Sequence, residues 1–519
     1  MVISICLLRR LHFFFTFELN YSYRIIIVEE SDLKRKTIKG FFWSSLESIL
    51  SQGQGIIFGI FLARMLSPDE FGLIGMITIF ISISQVFVDS GLSQSLIRKQ
   101  NCTTTDYSTI FWVNLVIGII CYLLIWIAAP SIAAFYETPQ LIAITRVTSL
   151  SIIIGSFTLI QQTILTKDVD FKTLTKSSTI GTFVSGVASL ALAFYGFGVW
   201  SLVWRSIINQ AVRSAILWGQ NRWKPVPEYS KATLREHFRF GSNILVISII
   251  SAIYRNISNL IIGKSYSEKI LGYYTNADQY STMPSSTITS ITSKVSYPVL
   301  SGMQDDDIKL KANIKKLITN IMYISFVVMF GLAAIAKPLF GVVLGEKWLP
   351  SVVMFQALCL AYSISPMHVI NQNIMKVKGR TDLFLRTEII KYVIFTPLLI
   401  LGAIFGITVL IGGIVLFYWI GYTVIAFYSK RLIGYSMKMQ SMDFLPLLGI
   451  SLFPAFITWG IGIIFNLTPL LLLGVQIIAY PCLVLLLSII FRVPAFYEIK
   501  VILSDKLTIA NFMKTFNPD

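Results

Sequence analysis

Arg146, Arg205 and Arg255 lie in stretches of the chain that are otherwise apolar, together with the amides Gln54, Asn256 and Asn259. A guanidinium keeps its charge and offers a planar fork of donors, so three of them at depth point to an anion such as phosphate or carboxylate. The amides and the aromatics Tyr273, Tyr274 and Tyr280 suit sugar rings. Glu47, Asp89 and Asp278 are the acids available to couple a proton or a cation. Glu388 and Lys391, at i and i+3 on one helix, are expected to pair with each other. Lone His368 is expected to pack rather than relay protons, and Arg213 is weighed alongside Arg205 either as a cargo contact or as a partner of an acid. Five cysteines without a close pair and three scattered histidines give no disulfide framework or metal cage. The expectation is a protein that binds and moves something, with no catalytic residues, cofactor or metal.

Such residues need elements that keep them out of lipid. The chain has 519 residues, 55% hydrophobic and 13% charged, against about 25% charged in a soluble domain, which excludes a soluble enzyme. Runs of about 20 apolar residues, the length that crosses the hydrocarbon, number fourteen. Six fall between Gly40 and Trp218, six between Phe240 and Tyr428, and two between Phe444 and Phe491. The first and eighth are the most polar, the eighth through hydroxyls such as Ser285, Thr287, Thr289 and Thr292. A charge at mid-span costs about 2.5–3.5 kcal/mol on the insertion scale, so the buried arginines must face protein or water. Ser44, Glu47, Ser51 and Gln54 recur at helical spacing in the first span, and Arg255, Asn256 and Asn259 cluster in the seventh. Both spans are expected to line an interior cavity.

The formal charge of +17 would suggest nucleic acid in a soluble protein. Its placement says otherwise. With the amino terminus inside, the inner loops carry twenty Lys and Arg and the outer loops five, as the positive-inside rule requires. Nucleic acid is not an expected partner. Asp305, Asp306 and Asp307 precede a helix start, where acids are favourable. The longest loop, Gly219 to Arg239, cannot hold a catalytic domain, which argues against a membrane glycan polymerase or transferase. The first thirty residues, interrupted by Arg9, Arg10 and His12, lack a cleavage site of small residues. They read as a cytoplasmic segment or as an over-long reading frame with Val28 as an alternative start.

Arg64, Ser67, Phe71, Gly72 and Leu73 are echoed by Lys264, Ser267, Leu271, Gly272 and Tyr273, and Gln162, Ile164 and Asp170 by Gln372, Ile374 and Asp382. Repeats separated by an even number of spans are parallel, related by an axis along the membrane normal. The predicted fold is therefore an all-α polytopic membrane protein: two six-helix lobes about a pseudo-twofold axis plus two extra helices. The predicted divisions are a cytoplasmic segment 1–39, lobes 40–218 and 240–428 joined by a cytoplasmic linker 219–239, an appended pair within 429–491, and a cytoplasmic tail 492–519.

The stretches LARMLSPDEFG from Leu62, VDSGLSQSLI from Val88, GFGVWSLV from Gly196, LGYY from Leu271 and KGRTDL from Lys378 resemble the bacterial polysaccharide transporter family. That family contains Wzx-type O-antigen and colanic-acid flippases, within the multidrug/oligosaccharidyl-lipid/polysaccharide exporter superfamily. The resemblance runs from Leu33 to about Phe491 and rests on loop and packing signatures, which specify family more than cargo. It implies an inner-membrane flippase for an undecaprenyl-pyrophosphate-linked oligosaccharide, working by alternating access. Membrane lipid and the polysaccharide polymerase complex are the implied partners, and an ion gradient the implied drive. The rival readings are a small-molecule exporter, which would want an acidic cavity, and the polymerase disfavoured above.

Overall fold

The computed structural model describes residues 31–89, 91–465 and 467–500, and every regular element among them is helical. In chain order these are α1 (Ser31–Met65), α2 (Pro68–Asp89), α3 (Leu92–Arg98), α4 (Thr104–Tyr136), α5 (Leu141–Thr148), α6 (Leu150–Lys167), α7 (Phe171–Phe194) and α8 (Trp200–Gln220). A second series follows: α9 (Lys231–Ser265), α10 (Glu268–Ser301), α11 (Asp307–Ala334), α12 (Ser351–Ser363), α13 (Ser365–Val377), α14 (Thr381–Phe405) and α15 (Ile407–Ile433). The last two are α16 (Met437–Ile464) and α17 (Pro469–Ile490), and short helical turns cover Ala336–Leu339, Phe340–Leu344 and Glu346–Trp348 between α11 and α12. The expected segment 1–39 and tail 492–519 fall largely outside the described residues.

Among the described residues, twelve helical stretches have the length and apolarity to cross a membrane. The two expected spans not among them are α8 and α10, 21 and 34 residues long, so the predicted fourteen is reached only by counting these two polar helices. The hydroxyls of α10 spare themselves by bonding back to the helix: Ser281 donates to the Ala277 carbonyl at 2.8 Å and Thr292 to that of Ile288 at 2.7 Å. Others reach neighbouring helices, as Ser285 does to the Tyr362 carbonyl at 3.2 Å and Thr287 to Gln52 at 2.8 Å. A polar helix so satisfied is tolerated where protein surrounds it.

Each series is packed around itself. In the first, α7 lies between α1 and α8, and α6 between α4 and α8. In the second, α14 pairs with α15, and α12 packs on α10, α11 and α15. The series meet mainly where α2 lies against α9 and α10. The appended α16 packs on α11 and shares with it a core containing Ile318, Phe326, Phe444 and Tyr480. The fourth span of each lobe is broken rather than continuous. In the first, Ser149 separates α5 from α6, and its hydroxyl turns back to the Arg146 carbonyl at 2.8 Å. In the second, Ile364 separates α12 from α13, whose first turn contains Pro366, a residue without an N–H to continue the ladder. The two breaks fall at corresponding places of the two repeats, which apolar run length alone does not reveal.

The first lobe also touches the start of α9 at the end opposite the α1–α2 turn. Ser95 Oγ and His237 Nδ1 lie 2.7 Å apart between α3 and α9, and His237 Nε2 is buried without a partner among the described residues. Burial, seconded by the charge of Lys99 and to a smaller degree of Lys167, pushes the His237 imidazole below its ordinary 6.5, against Glu236 and Asp106. The folded state thus holds fewer protons than the unfolded one near pH 6, and stability from this contact falls as pH drops through 6.5. The melting temperature in detergent should decline from pH 7.5 to 5.5, and His237→Asn should shrink that decline; an unchanged decline would remove the histidine as its source.

Candidate functional site

The polar face of α1 follows helical spacing: Glu47, Ser51 and Gln54 are half-buried on neighbouring turns. Ser51 Oγ lies 2.9 Å from Ser178 Oγ on α7. Gln54 Oε1 is buried with no partner among the described residues, so it is an acceptor waiting for a donor. Further along, Gly55 and Gly59 let α1 approach α10, where added Cβ atoms would lie 3.6 Å from Met283 and 3.3 Å from the Tyr280 hydroxyl. The first and second lobes therefore face each other across α1 and α10 as well as across α2.

Two arginines of α8 point into this region. Arg205 is half-buried, and its charge interacts with the Tyr280 hydroxyl of the opposite lobe. No carboxylate among the described residues is paired with it. Arg213, two turns on, interacts with the charge of Glu47. The amide orientation of Gln162 that satisfies both groups places its oxygen 3.1 Å from Arg213 Nε. Asn209, on the same helix, donates to Ser185 at 3.3 Å. The first lobe thus presents cationic and amide groups.

The second lobe presents phenols and carboxylates. Asp278 accepts from the Tyr362 hydroxyl, and Thr282 lies 3.4 Å away. Tyr418 and Tyr274 surround the same carboxylate. Arg255 is exposed on α9, in electrostatic reach of Tyr392 and Tyr418, and the neighbouring Tyr254 stacks on Tyr392 with ring centroids 3.9 Å apart. Glu388 and Lys391 form an ion pair at 2.6 Å, and Gln372 donates to the same carboxylate oxygen at 2.9 Å. His368 hydrogen-bonds the Tyr418 carbonyl at 2.8 Å, a packing role as expected.

Several expected residues are engaged elsewhere. Arg146 stacks on the exposed Trp126 ring of α4 at 4.0 Å and donates to the Trp126 carbonyl at 3.3 Å. Asn256 is buried and bonded to the Ala252 carbonyl of its own helix at 2.9 Å, whereas Asn259 is half-buried one turn on. Asp89 accepts from Ser93 at 2.6 Å, a local closure of the α2–α3 turn. Tyr362 and Tyr418 carry no sequence signal, because tyrosines in apolar spans read as core. Among the described residues no group of three His, Cys, Asp or Glu could hold a metal.

A groove of about 990 Å³ lies elsewhere, among α11, α16 and α17. It is lined by apolar groups such as Pro446, Phe453, Leu487 and Phe491, and the pairs Lys315–Asp443 at 2.8 Å and Lys316–Glu498 at 3.4 Å stand at its rim. None of the arginines discussed above lines it.

A family model described as polysaccharide biosynthesis protein matches residues 61–353. An uncharacterized membrane protein in the cps region of Klebsiella pneumoniae is 28% identical over 377 residues, 72% of this chain and 78% of that protein. The lipopolysaccharide biosynthesis protein WzxC of Escherichia coli is 23% identical over 372 residues, 71% of this chain and 76% of that one. Among solved structures, the lipid II flippase MurJ in an inward closed conformation superposes with a TM-score of 0.68 at 15% identity, covering 88% of this chain and 99% of that one. At that identity the likeness establishes a shared helical fold.

Proposed function

The chain belongs to the polysaccharide biosynthesis protein family, and from that premise we propose that it is a flippase for a lipid-linked oligosaccharide. The cargo is an oligosaccharide joined through pyrophosphate to undecaprenol, carried from the cytoplasmic to the periplasmic leaflet of a bacterial inner membrane. Both termini lie in the cytoplasm, so the α1–α2 turn is periplasmic. The lobes are 40–218 and 240–428, and 429–491 holds the appended pair.

One observation carries this reading. Arg205 stands at the lobe interface in electrostatic reach of Tyr280, with no carboxylate among the described residues to neutralise it, while Arg213 and Gln162 extend the same strip along the first lobe. A guanidinium so placed offers paired hydrogen bonds to the oxygens of a pyrophosphate and balances one of its two charges. The tyrosines and amides opposite, with the unpartnered Gln54 oxygen, supply stacking faces and hydrogen bonds for sugar hydroxyls. The prenyl chain stays in lipid, because only the polar head meets a barrier there. Arg255, on the far wall, is a second anion contact. Asp278, half-buried among three phenols, is the strongest of the coupling acids, and Glu47, beside Arg213, links α1 to the cationic strip.

Deleting the gene tests the reading directly. Surface polysaccharide should fall, and the accumulated lipid-linked precursor should remain on the cytoplasmic leaflet, inaccessible to a glycan-modifying enzyme added to intact spheroplasts. Precursor found on the periplasmic leaflet would mean that transport had already taken place without this protein.

A further inference from the structure

The stretches that echo each other at an offset of 200 residues meet face to face at the α1–α2 end. A Cβ added to Gly72 on α2 would lie 1.8 Å from the Glu268 carbonyl oxygen at the start of α10. A Cβ added to Gly272 on α10 would lie 1.8 Å from the Pro68 carbonyl oxygen at the start of α2. Each glycine admits the backbone of the other's helix, so the contact is reciprocal about the pseudo-twofold axis. One turn deeper, Gly75 holds the same approach, with Thr275 2.8 Å from its would-be Cβ.

The paired cations Arg64 and Lys264 repeat the exchange. Arg64, in the first lobe, donates to the Val342 carbonyl and to that of Val343 at 2.8 Å in the second. Lys264, in the second lobe, pairs with Glu137 of the first at 2.9 Å. The turn Glu346–Trp348 sends Lys347 Nζ to the Arg64 and Leu66 carbonyls at 2.8 and 2.7 Å. Trp348, fully buried, donates to the Ala63 carbonyl at 2.7 Å and meets Phe71 edge-on at 5.3 Å.

We propose that Gly72 and Gly272 form the outer gate of the transport path, and that the turn carrying Lys347 and Trp348 is its latch. This inference rests on the orientation and transport reading above. For cargo to leave toward the periplasm α2 and α10 must part, and the reciprocal contacts then break together, since packed interfaces switch between discrete arrangements rather than stretch. The polar groups released find water, so opening is reversible.

The test uses the full chain with its five cysteines replaced and Gln279→Cys as reporter, seven residues or about 10 Å below Gly272 along α10. A membrane-impermeant maleimide is added to intact spheroplasts. The parent should label slowly. Gly72→Ala or Gly272→Ala, either alone, should label at least tenfold faster, because a methyl group forbids closure although alanine is the better helix former. Gly412→Ala, whose added methyl meets nothing within 4 Å, should label as the parent does. Trp348→Phe keeps the ring and loses the indole donor, and should label at least threefold faster. Unchanged labelling in folded glycine variants would overturn the gate. If those variants fail to reach the membrane, unchanged labelling of Trp348→Phe does so instead. Labelling needs no cargo, so a chain that labels as expected but moves no lipid defeats the transport reading and leaves the gate standing.

Discussion

Arg205→Ala should lower the flipping rate about a hundredfold or more at limiting lipid concentration. Hydrogen bonds to a charged group contribute about 1.5–3 kcal/mol each, and a guanidinium can give two to one phosphate. Their loss amounts to about 3–6 kcal/mol, or two to four orders of magnitude in affinity at about 1.4 kcal/mol per decade. The position of Arg205, opposite Tyr280 and without an acidic partner among the described residues, means that its removal strands none of their carboxylates, so the fold should tolerate the change. Arg205→Lys keeps the charge and loses the fork, and should fall between the two. Arg146→Ala is the contrast: its guanidinium is spent on Trp126, and flipping should stay within about threefold. The measurement is inward-to-outward movement of a fluorescent oligosaccharide-diphosphate lipid in proteoliposomes, read by quenching from outside. Equal effects at Arg205 and Arg146 would mean that the arginines act through general charge rather than through a site.

What the sequence discloses about this protein is what is local or periodic. Apolar runs mark the spans, the spacing of Glu47, Ser51 and Gln54 marks the polar face of α1, and the i, i+3 relation of Glu388 and Lys391 marks their pairing. The 200-residue echo is visible as letters, but its meaning is not. Only in three dimensions do Gly72 and Gly272 prove to seat each other's helices. The breaks at Ser149 and Ile364 are hidden because the residues around them are apolar enough for one continuous helix. Partner choice across helices is the least legible layer. Whether Arg146 meets Trp126 twenty residues away, or Asp278 meets Tyr362 eighty-four residues away, depends on the rotation of helices about their axes, which charge and spacing do not encode. Asn256 and Asp89 show a further reason, since short polar side chains can close on their own backbone or on a neighbouring turn and leave nothing for a ligand.

Lys391→Met should destabilise the protein by about 3–5 kcal/mol, the cost of leaving a buried charge without its partner. The pair is short at 2.6 Å, and the side chains are 7% and 17% exposed. It is also closely housed: a Cβ on Gly421 would lie 3.1 Å from the Lys391 stem and 3.0 Å from His368. Removing the ammonium leaves Glu388 with the neutral donors Gln372 and Tyr392 and no paired cation, too little to hold an anion there. The carboxyl would then take a proton or draw water into the lobe. Replacing both residues, Glu388→Gln with Lys391→Met, removes both charges and should recover most of the loss, because a buried pair contributes little net stability over neutral groups of similar shape. The midpoint of unfolding by dodecyl sulfate in mixed micelles reports both variants. A single variant as stable as the parent would show that water reaches Glu388. The doubly substituted protein separates scaffold from machinery: if it folds and flips at the parental rate, the pair only braces the second lobe. If it folds but no longer flips, the two charges belong with Asp278 and Arg255 to the transport path, and the bond between them is one that the cycle must break.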